Sequence, residues 1–267
     1  MSIMIKKRNG SMEELDHNKY LNHIEWACKD IEDVSVSELA MAAKMNIVDG
    51  TAAEDIQKIL YSVARDLAYQ NHKYDKVASR LLNQDVRKRV YKDKYLPNTK
   101  LENIFKNLDE GVYDYEYLSK YYTKEELADI IDIIDFDNDD KFSFGGLFKN
   151  TDGYLIKRYN QLKETPQEAY LMINVAAFAK YKEKYNNEVR KKWIRIGYEA
   201  LANFEVSWPT PVVSKLRTTF RKFVSCVLIP LGDTKKSIAN THKEIFTVVA
   251  AGAGIGLGAT DIRGRGA

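Results

Sequence analysis

Residues 207–226, SWPTPVVSKLRTTFRKFVSC, constrain this chain more than any other stretch, because two prolines one residue apart limit what the backbone around Thr210 can do. Pro209 and Pro211 fix φ and remove two backbone donors, so Pro-Thr-Pro is excluded from a helix interior or a central strand. The expectation is a stiff, irregular connection that presents Thr210 to a ligand. From Phe223 the run FVSCVLI has the length and β-branched content of a buried strand. A cysteine in such a strand is ordinarily a packing residue, and Cys226 read alone would be one.

The chain, at 267 residues, is long enough to bury a sizeable core. With 41 basic and 38 acidic residues the net charge is +3, which gives no case for a nucleic-acid surface but leaves room for local basic pockets that hold small anions. Two cysteines fit a reducing cytoplasm rather than a disulfide framework. No apolar h-region follows the first charges, and the apolar run 245–259 is too short and too rich in glycine to span a bilayer. The expected location is the cytoplasm, with no membrane contact.

Asn9-Gly10 between short alternating pieces predicts an opening β-hairpin. Asp16 caps a helix to about Lys29, with Tyr20, Leu21, Ile24, Ala27 and Cys28 on its apolar stripe. Ser35-x-x-Glu38 and Thr51-x-x-Glu54 have the capping-box form and start helices near 36 and 52. A fourth helix covers about 74–91, with Arg87-Lys88-Arg89 complementing the dipole at its end. Beyond Pro97, helices are expected over 101–108, ending before Gly111, and after Thr123-x-x-Glu126. Thr165-Pro166-Gln167-Glu168 starts another, and a further helix near 187–203 is expected to bury Trp193, Ile196, Gly197, Ala200 and Leu201. Asp135, Asp137 and Asp139 suggest a calcium loop, but Asp140 and Gly146 stand where an EF-hand needs glycine and glutamate, so calcium is rejected. Asp233 is expected to cap a helix over 234–250. Three segments result, 1–95, 96–203 and 204–267, with no flexible linker and no internal repeat.

Pro209-Thr210-Pro211, Arg217-Thr218, Phe223 with Ser225-Cys226, Gly232-Asp233-Thr234 and Ala253-Gly254-Ile255-Gly256 follow one another in an order and spacing that resembles the large subunit of class I ribonucleotide reductase. The opening KKRNGSMEELDHNK is similar to the start of the ATP-cone, the nucleotide-binding regulatory domain of many such subunits. The resemblance implies a mainly helical α+β fold. An ATP-cone of hairpin plus four helices comes first, then a helical domain, then the first strands of a ten-stranded α/β barrel.

The same resemblance assigns roles. It places Cys226 as one of two redox thiols that reduce the ribose, with Thr210, Ser225, Ala253 and Gly254 on the substrate. Lys7, Arg8, Glu13, Asp16, Lys19 and Lys88 form the activity site for ATP or dATP, and Asp233, Thr234 and Arg263 a specificity site for deoxynucleotide effectors. Ala53, Gln57 and Asp16 depart from the cone's usual threonine, histidine and asparagine, which puts the on/off switch in question. No metal or cofactor is expected on the chain itself. The radical comes from a dimetal small subunit. The second redox cysteine, the thiyl-radical cysteine and most of the barrel belong downstream of Ala267. The chain is therefore expected to be the N-terminal part of a split, phage-like large subunit, active only in a hetero-oligomer with the chain that carries the rest and with the small subunit. If phage-encoded, it would act in the host cytoplasm.

Two rivals remain. Gly254-x-Gly256-x-x-Ala259 has the form of a dinucleotide fingerprint, but the helix, second strand and acid that a Rossmann unit needs do not follow it. A non-catalytic nucleotide-sensing module would also carry an ATP-cone. Repressors of that kind add a cysteine zinc ribbon, and no C-x-x-C occurs here; the proline stretch and Ser225-Cys226 would have no purpose in one.

Overall fold

The computed structural model describes residues 3–7, 10–92, 96–97, 99–220 and 223–267. The chain divides into two compact units, Met1–Val206 and Ser207–Ala267.

The first unit opens with β1 (Met4–Lys6) and β2 (Met12–Glu14), antiparallel with Ile5 opposite Glu13. Gly10 takes the turn at φ +86°, where a side chain would be strained. Asn9 and Arg8 lie outside the described residues. Four helices follow: α1 (His17–Cys28), α2 (Val36–Lys44), α3 (Ala53–Leu67) and α4 (Tyr74–Tyr91). Asp16 and Ser35 cap as expected, accepting from the amides of Lys19 and Glu38. Tyr20, Ile24, Ala27 and Cys28 are buried on α1, whereas Leu21 is exposed.

Thr51 is not a cap. Its Oγ1 donates to the Val48 carbonyl and accepts from the Val48 amide, while its own carbonyl accepts from Lys6 N at 3.0 Å. These bonds turn residues 48–51 back on themselves and leave Ala52 as an N-cap without a capping side chain. Lys6 forms a parallel bridge to Ala52, so β1 is fastened beside the first turn of α3.

The remainder of this unit contains α5 (Lys100–Asp109), α6 (Tyr115–Leu118), α7 (Lys124–Ile131), a 3-10 turn (Phe136–Lys141) and α8 (Phe144–Gly153). A hairpin of β3 (Lys157–Arg158) and β4 (Gln161–Leu162) precedes α9 (Pro166–Ala177), a second 3-10 turn (Ala179–Glu183) and α10 (Asn187–Ala202). At Thr123 the capping box is reciprocal. Nearly every residue of α9 is buried.

The face of α10 differs from the expected one. Arg190, Ile194, Tyr198, Leu201 and Ala202 point inward, and Trp193 is 44% exposed with Ile196 beside it in solvent. The reason is polar. Arg190 donates to the Tyr121 carbonyl at 2.6 Å and lies 4.1 Å over the Tyr122 ring, and Tyr198 donates to Gln167 Oε1 at 2.9 Å. Charged and hydroxyl groups with buried partners take the stripe that hydrophobicity alone awards to tryptophan. Asp135 and Asp139 also find structural work: Asp135 caps the 3-10 turn, and Asp139 pairs with Arg87.

The second unit holds α11 (Thr210–Lys215), β5 (Cys226–Pro230), α12 (Lys235–Ala250) and β6 (Gly254–Gly258). The Pro-Thr-Pro stretch is not an irregular connection. Pro209 is the N-cap and Pro211 falls in the first turn of α11, where missing amides cost nothing because those donors have no intrahelical partner. β5 and β6 are parallel, with Cys226 opposite Gly254 and Pro230 opposite Gly258, and α12 connects them. The expected buried strand is largely open: Ile229 is buried, but Leu228 is 76% exposed and Cys226 is exposed as well. In the described residues of this unit the two strands pair only with each other, which leaves one edge of each unpaired.

Candidate functional site

Two groups of predicted residues converge. The first lies in a cleft of about 610 Å³ in the first unit, lined by Lys6 and Lys7 from the hairpin, Ala52, Ala53 and Glu54 at the start of α3, and Lys88, Arg89 and Lys92 at the end of α4. Asn160, Gln161 and Leu162 complete the lining. Each part has a local cause. The Lys6–Ala52 bridge brings the hairpin lysines to α3. No side chain caps α3, and a helix start carries partial positive charge. Small residues at 52 and 53 leave that end open. Among the described residues, five cationic side chains around this helix start suit a polyphosphate.

Of the predicted activity-site residues, Lys7 and Lys88 line the cleft, and Glu13 is joined to it through its 2.6 Å ion pair with Lys7. Asp16 and Lys19 do not line it; Asp16 is spent on capping α1. Arg8 is outside the described residues. Gln57, one turn beyond Ala53, is a brace. It bonds His23 Nε2 at 2.8 Å and donates to the Leu81 carbonyl at 2.7 Å, tying α3 to α1 and α4. Burial lowers the His23 pKa, the Gln57 bond opposes this, and the nearby Lys88 charge lowers it further.

Sequence reasoning missed Lys6, Arg89, Lys92, Asn160 and Gln161. Arg89 could have been read from its place in the Arg-Lys-Arg run. Nothing local signals Asn160 and Gln161, which reach the cleft from about 70 residues away along the chain.

The second group lies in the second unit. Gly254 N donates to the Ser225 carbonyl at 2.7 Å, and Ser225 Oγ lies 3.8 Å from Cys226 Sγ, so Ser225, Cys226, Ala253 and Gly254 share one end of the parallel pair. Thr210 is exposed at the start of α11, and among the described residues no hydrogen bond joins it to that group. Thr234, not Asp233, caps α12, accepting from Ser237 N at 3.0 Å. Asp233 instead holds Arg263 through its Oδ2, and its carbonyl accepts from the same guanidinium. The three predicted effector residues are thus adjacent, although Asp233 has a different job from the one expected.

Residues 3–89 match the ATP cone domain. Over 99% of its length the chain is similar to ribonucleoside-diphosphate reductase 1 subunit alpha of Escherichia coli K12, at 31% identity, and to the ribonucleoside-diphosphate reductase alpha subunits of Buchnera aphidicola subsp. Schizaphis graminum and Enterobacteria phage T4, each at 32%. It covers 34% of each. The chain therefore carries an ATP-cone and corresponds to the N-terminal region of class I reductase alpha subunits, spanning about a third of their length. Among the described residues no helix is long and apolar enough to cross a membrane.

Proposed function

We propose that the chain supplies the N-terminal third of a ribonucleoside-diphosphate reductase large subunit, and that deoxyribonucleotide formation requires the other two-thirds on a second chain. The observation that carries this reading is an alignment spanning 99% of the chain with such subunits, in which Cys226 stands exposed beside Ser225 and opposite Gly254.

Reduction at C2′ takes two electrons from two thiols, which end as a disulfide while the 2′-hydroxyl leaves as water. Cys226 is one of those thiols and protonates the departing oxygen; the other belongs to the remaining two-thirds. Ser225 and Thr210 hold the diphosphate-ribose, and Ala253-Gly254 flank the base, where a glycine lets the main chain come close. Among the described residues β5 and β6 each keep one unpaired edge, which supports the addition of further barrel strands. ATP or dATP occupies the cationic cleft, and a deoxynucleotide effector meets Thr234, Asp233 and Arg263. The radical comes from a dimetal small subunit in a cytoplasmic hetero-oligomer.

The test is CDP reduction by the purified chain alone, then with the rest of the subunit supplied as a separate chain together with the small subunit. Activity confined to the reconstituted mixture and lost in Cys226→Ser is the expected result. Activity that persists in Cys226→Ser, or partners that neither bind nor turn over, would overturn the assignment and favour a nucleotide-sensing module.

A further inference from the structure

The matched ATP-cone ends at residue 89, yet the cationic cleft does not. Its remaining lining comes from Asn160, Gln161 and Leu162 on the β3–β4 hairpin. We propose that this hairpin is a wall of the nucleotide site, with the Asn160 and Gln161 side-chain amides contacting the nucleoside part of the ligand. The inference rests on the reading that the cleft takes a nucleoside triphosphate.

The chemistry of the lining divides the work. Lys6, Lys7, Lys88, Arg89 and Lys92 are donors only, and Glu54 as a carboxylate is an acceptor only. A nucleobase and its sugar present donors and acceptors side by side. Among the described polar side chains lining the cleft, only Asn160 and Gln161 offer both in one group. Neither amide has a hydrogen bond among the described residues, so both are available to a ligand.

The hairpin is also held firmly enough to act as a wall. Arg158 donates to the carbonyls of Glu110, at 2.9 Å, and Gly111. Lys157 bonds Asp152 at 2.9 Å, Ile156 N donates to Glu164 Oε1 at 2.7 Å, and Leu162 is buried. The turn itself has φ +50° at Tyr159 and +59° at Asn160, the left-handed pair of a tight two-residue hairpin. A bulky residue there is costly and persists only where the surroundings impose it. Tyr159 is 99% exposed, so core packing of its ring is not the compensation. A fixed hairpin with two unengaged amides at a phosphate cleft is a preorganised contact surface.

The test is calorimetric titration of the full chain with ATP, dATP and inorganic tripolyphosphate, comparing wild type, Lys88→Ala and the double variant Asn160→Gly with Gln161→Ala. Glycine at 160 keeps the left-handed backbone while removing the amide, and circular dichroism verifies the fold. The expected result is a loss of about tenfold in ATP affinity in the hairpin variant, the worth of one or two neutral hydrogen bonds, with tripolyphosphate affinity unchanged. Lys88→Ala should weaken both ligands. If Lys88→Ala weakens ATP and the hairpin variant does not, the wall is refuted while the cleft remains a nucleotide site. An equal loss for ATP and tripolyphosphate in the hairpin variant also refutes the nucleoside contact. Wild-type protein that binds neither ATP nor dATP would overturn both readings.

Discussion

Arg87 Nη2 lies 2.9 Å from Asp139 Oδ2, in a pair whose carboxylate is fully buried and whose guanidinium also donates to the Phe136 carbonyl at 2.7 Å. Gln167 Nε2 donates to the other carboxylate oxygen at 2.9 Å, and Tyr198 donates in turn to Gln167. The last turn of α4 is thereby locked to the 3-10 turn, α9 and α10. Burial pushes the Asp139 carboxyl up, and Arg87 and the Gln167 bond work against that rise.

Removing one member of this pair strands the other. Arg87→Met is expected to destabilise the first unit by about 3 kcal/mol, because an unpaired charge remains in the interior. Adding Asp139→Leu should recover much of the loss. Urea unfolding followed by circular dichroism measures both, and a single-variant cost below about 1 kcal/mol would contradict the buried-pair account.

Glu168 gives a pH signature. It is buried at the start of α9, accepting from the Thr165 amide at 2.8 Å and from Asn103, and burial raises its pKa to about 7. A carboxyl that binds its proton more tightly folded than unfolded stabilises the fold at low pH, and that contribution is lost as pH rises from about 4.5 through 7. The loss across that window is about 3 kcal/mol. Glu168→Gln keeps the capping geometry and should flatten the difference between unfolding free energies at pH 5 and pH 8. An unaltered difference would rule Glu168 out as its source.

Gly197 on α10 is a contact position. A Cβ there would fall 2.0 Å from Asn174 Oδ1 and 2.9 Å from its Cγ, on buried α9. Glycine to alanine inside a helix normally gains about 1 kcal/mol, but overpacking typically costs 1–3. Gly197→Ala is therefore expected to be net destabilising, and Asn174→Ala in the same chain should relieve it. A thermal-melt double-mutant cycle reads the coupling; additive effects would show that the two residues are not in contact.

Capping of α12 separates Thr234 from Asp233. Thr234→Ala should cost about 1 kcal/mol of helix stability, while Asp233→Asn, which affects an exposed pair with Arg263, should cost about half that or less. Hydrogen exchange at the amides of α12 distinguishes them. Equal protection loss in both variants would restore Asp233 as the cap.

Helix boundaries set by short-range chemistry were legible from sequence: the caps at Asp16, Ser35, Thr123 and Thr165 involve partners three residues away. Thr51 had the same pattern and failed, because Lys6, 45 residues earlier, claimed its carbonyl and the Val48 turn claimed its hydroxyl. Trp193 was placed inward for its hydrophobicity, whereas Arg190 and Tyr198 hold that face through hydrogen bonds to distant residues. The predicted residues Lys7 and Lys88 do meet in one cleft, and Ser225, Cys226 and Gly254 do share one strand end. Cys226 looked like a core residue because strand composition reports the burial a strand is suited to, not whether a second sheet face is there to supply it. The hairpin wall had no sequence signature, since its meaning depends on folding next to α4.

The grip on α4 extends along most of its length. Tyr74 bonds Glu38 at one end, Ser79 donates to the Phe142 carbonyl, and Arg87 and Tyr91 reach Asp139 and Thr165 at the other. A rod clamped on both flanks cannot swing like a door. If occupancy next to Lys88 is felt elsewhere, it must be transmitted as a small slide or twist of the whole rod, which would tug on Asp139 and Glu168 together. Close packing makes such a body stiff enough to carry a push without absorbing it, so the cone's last helix is built as a transmission shaft rather than as a tether.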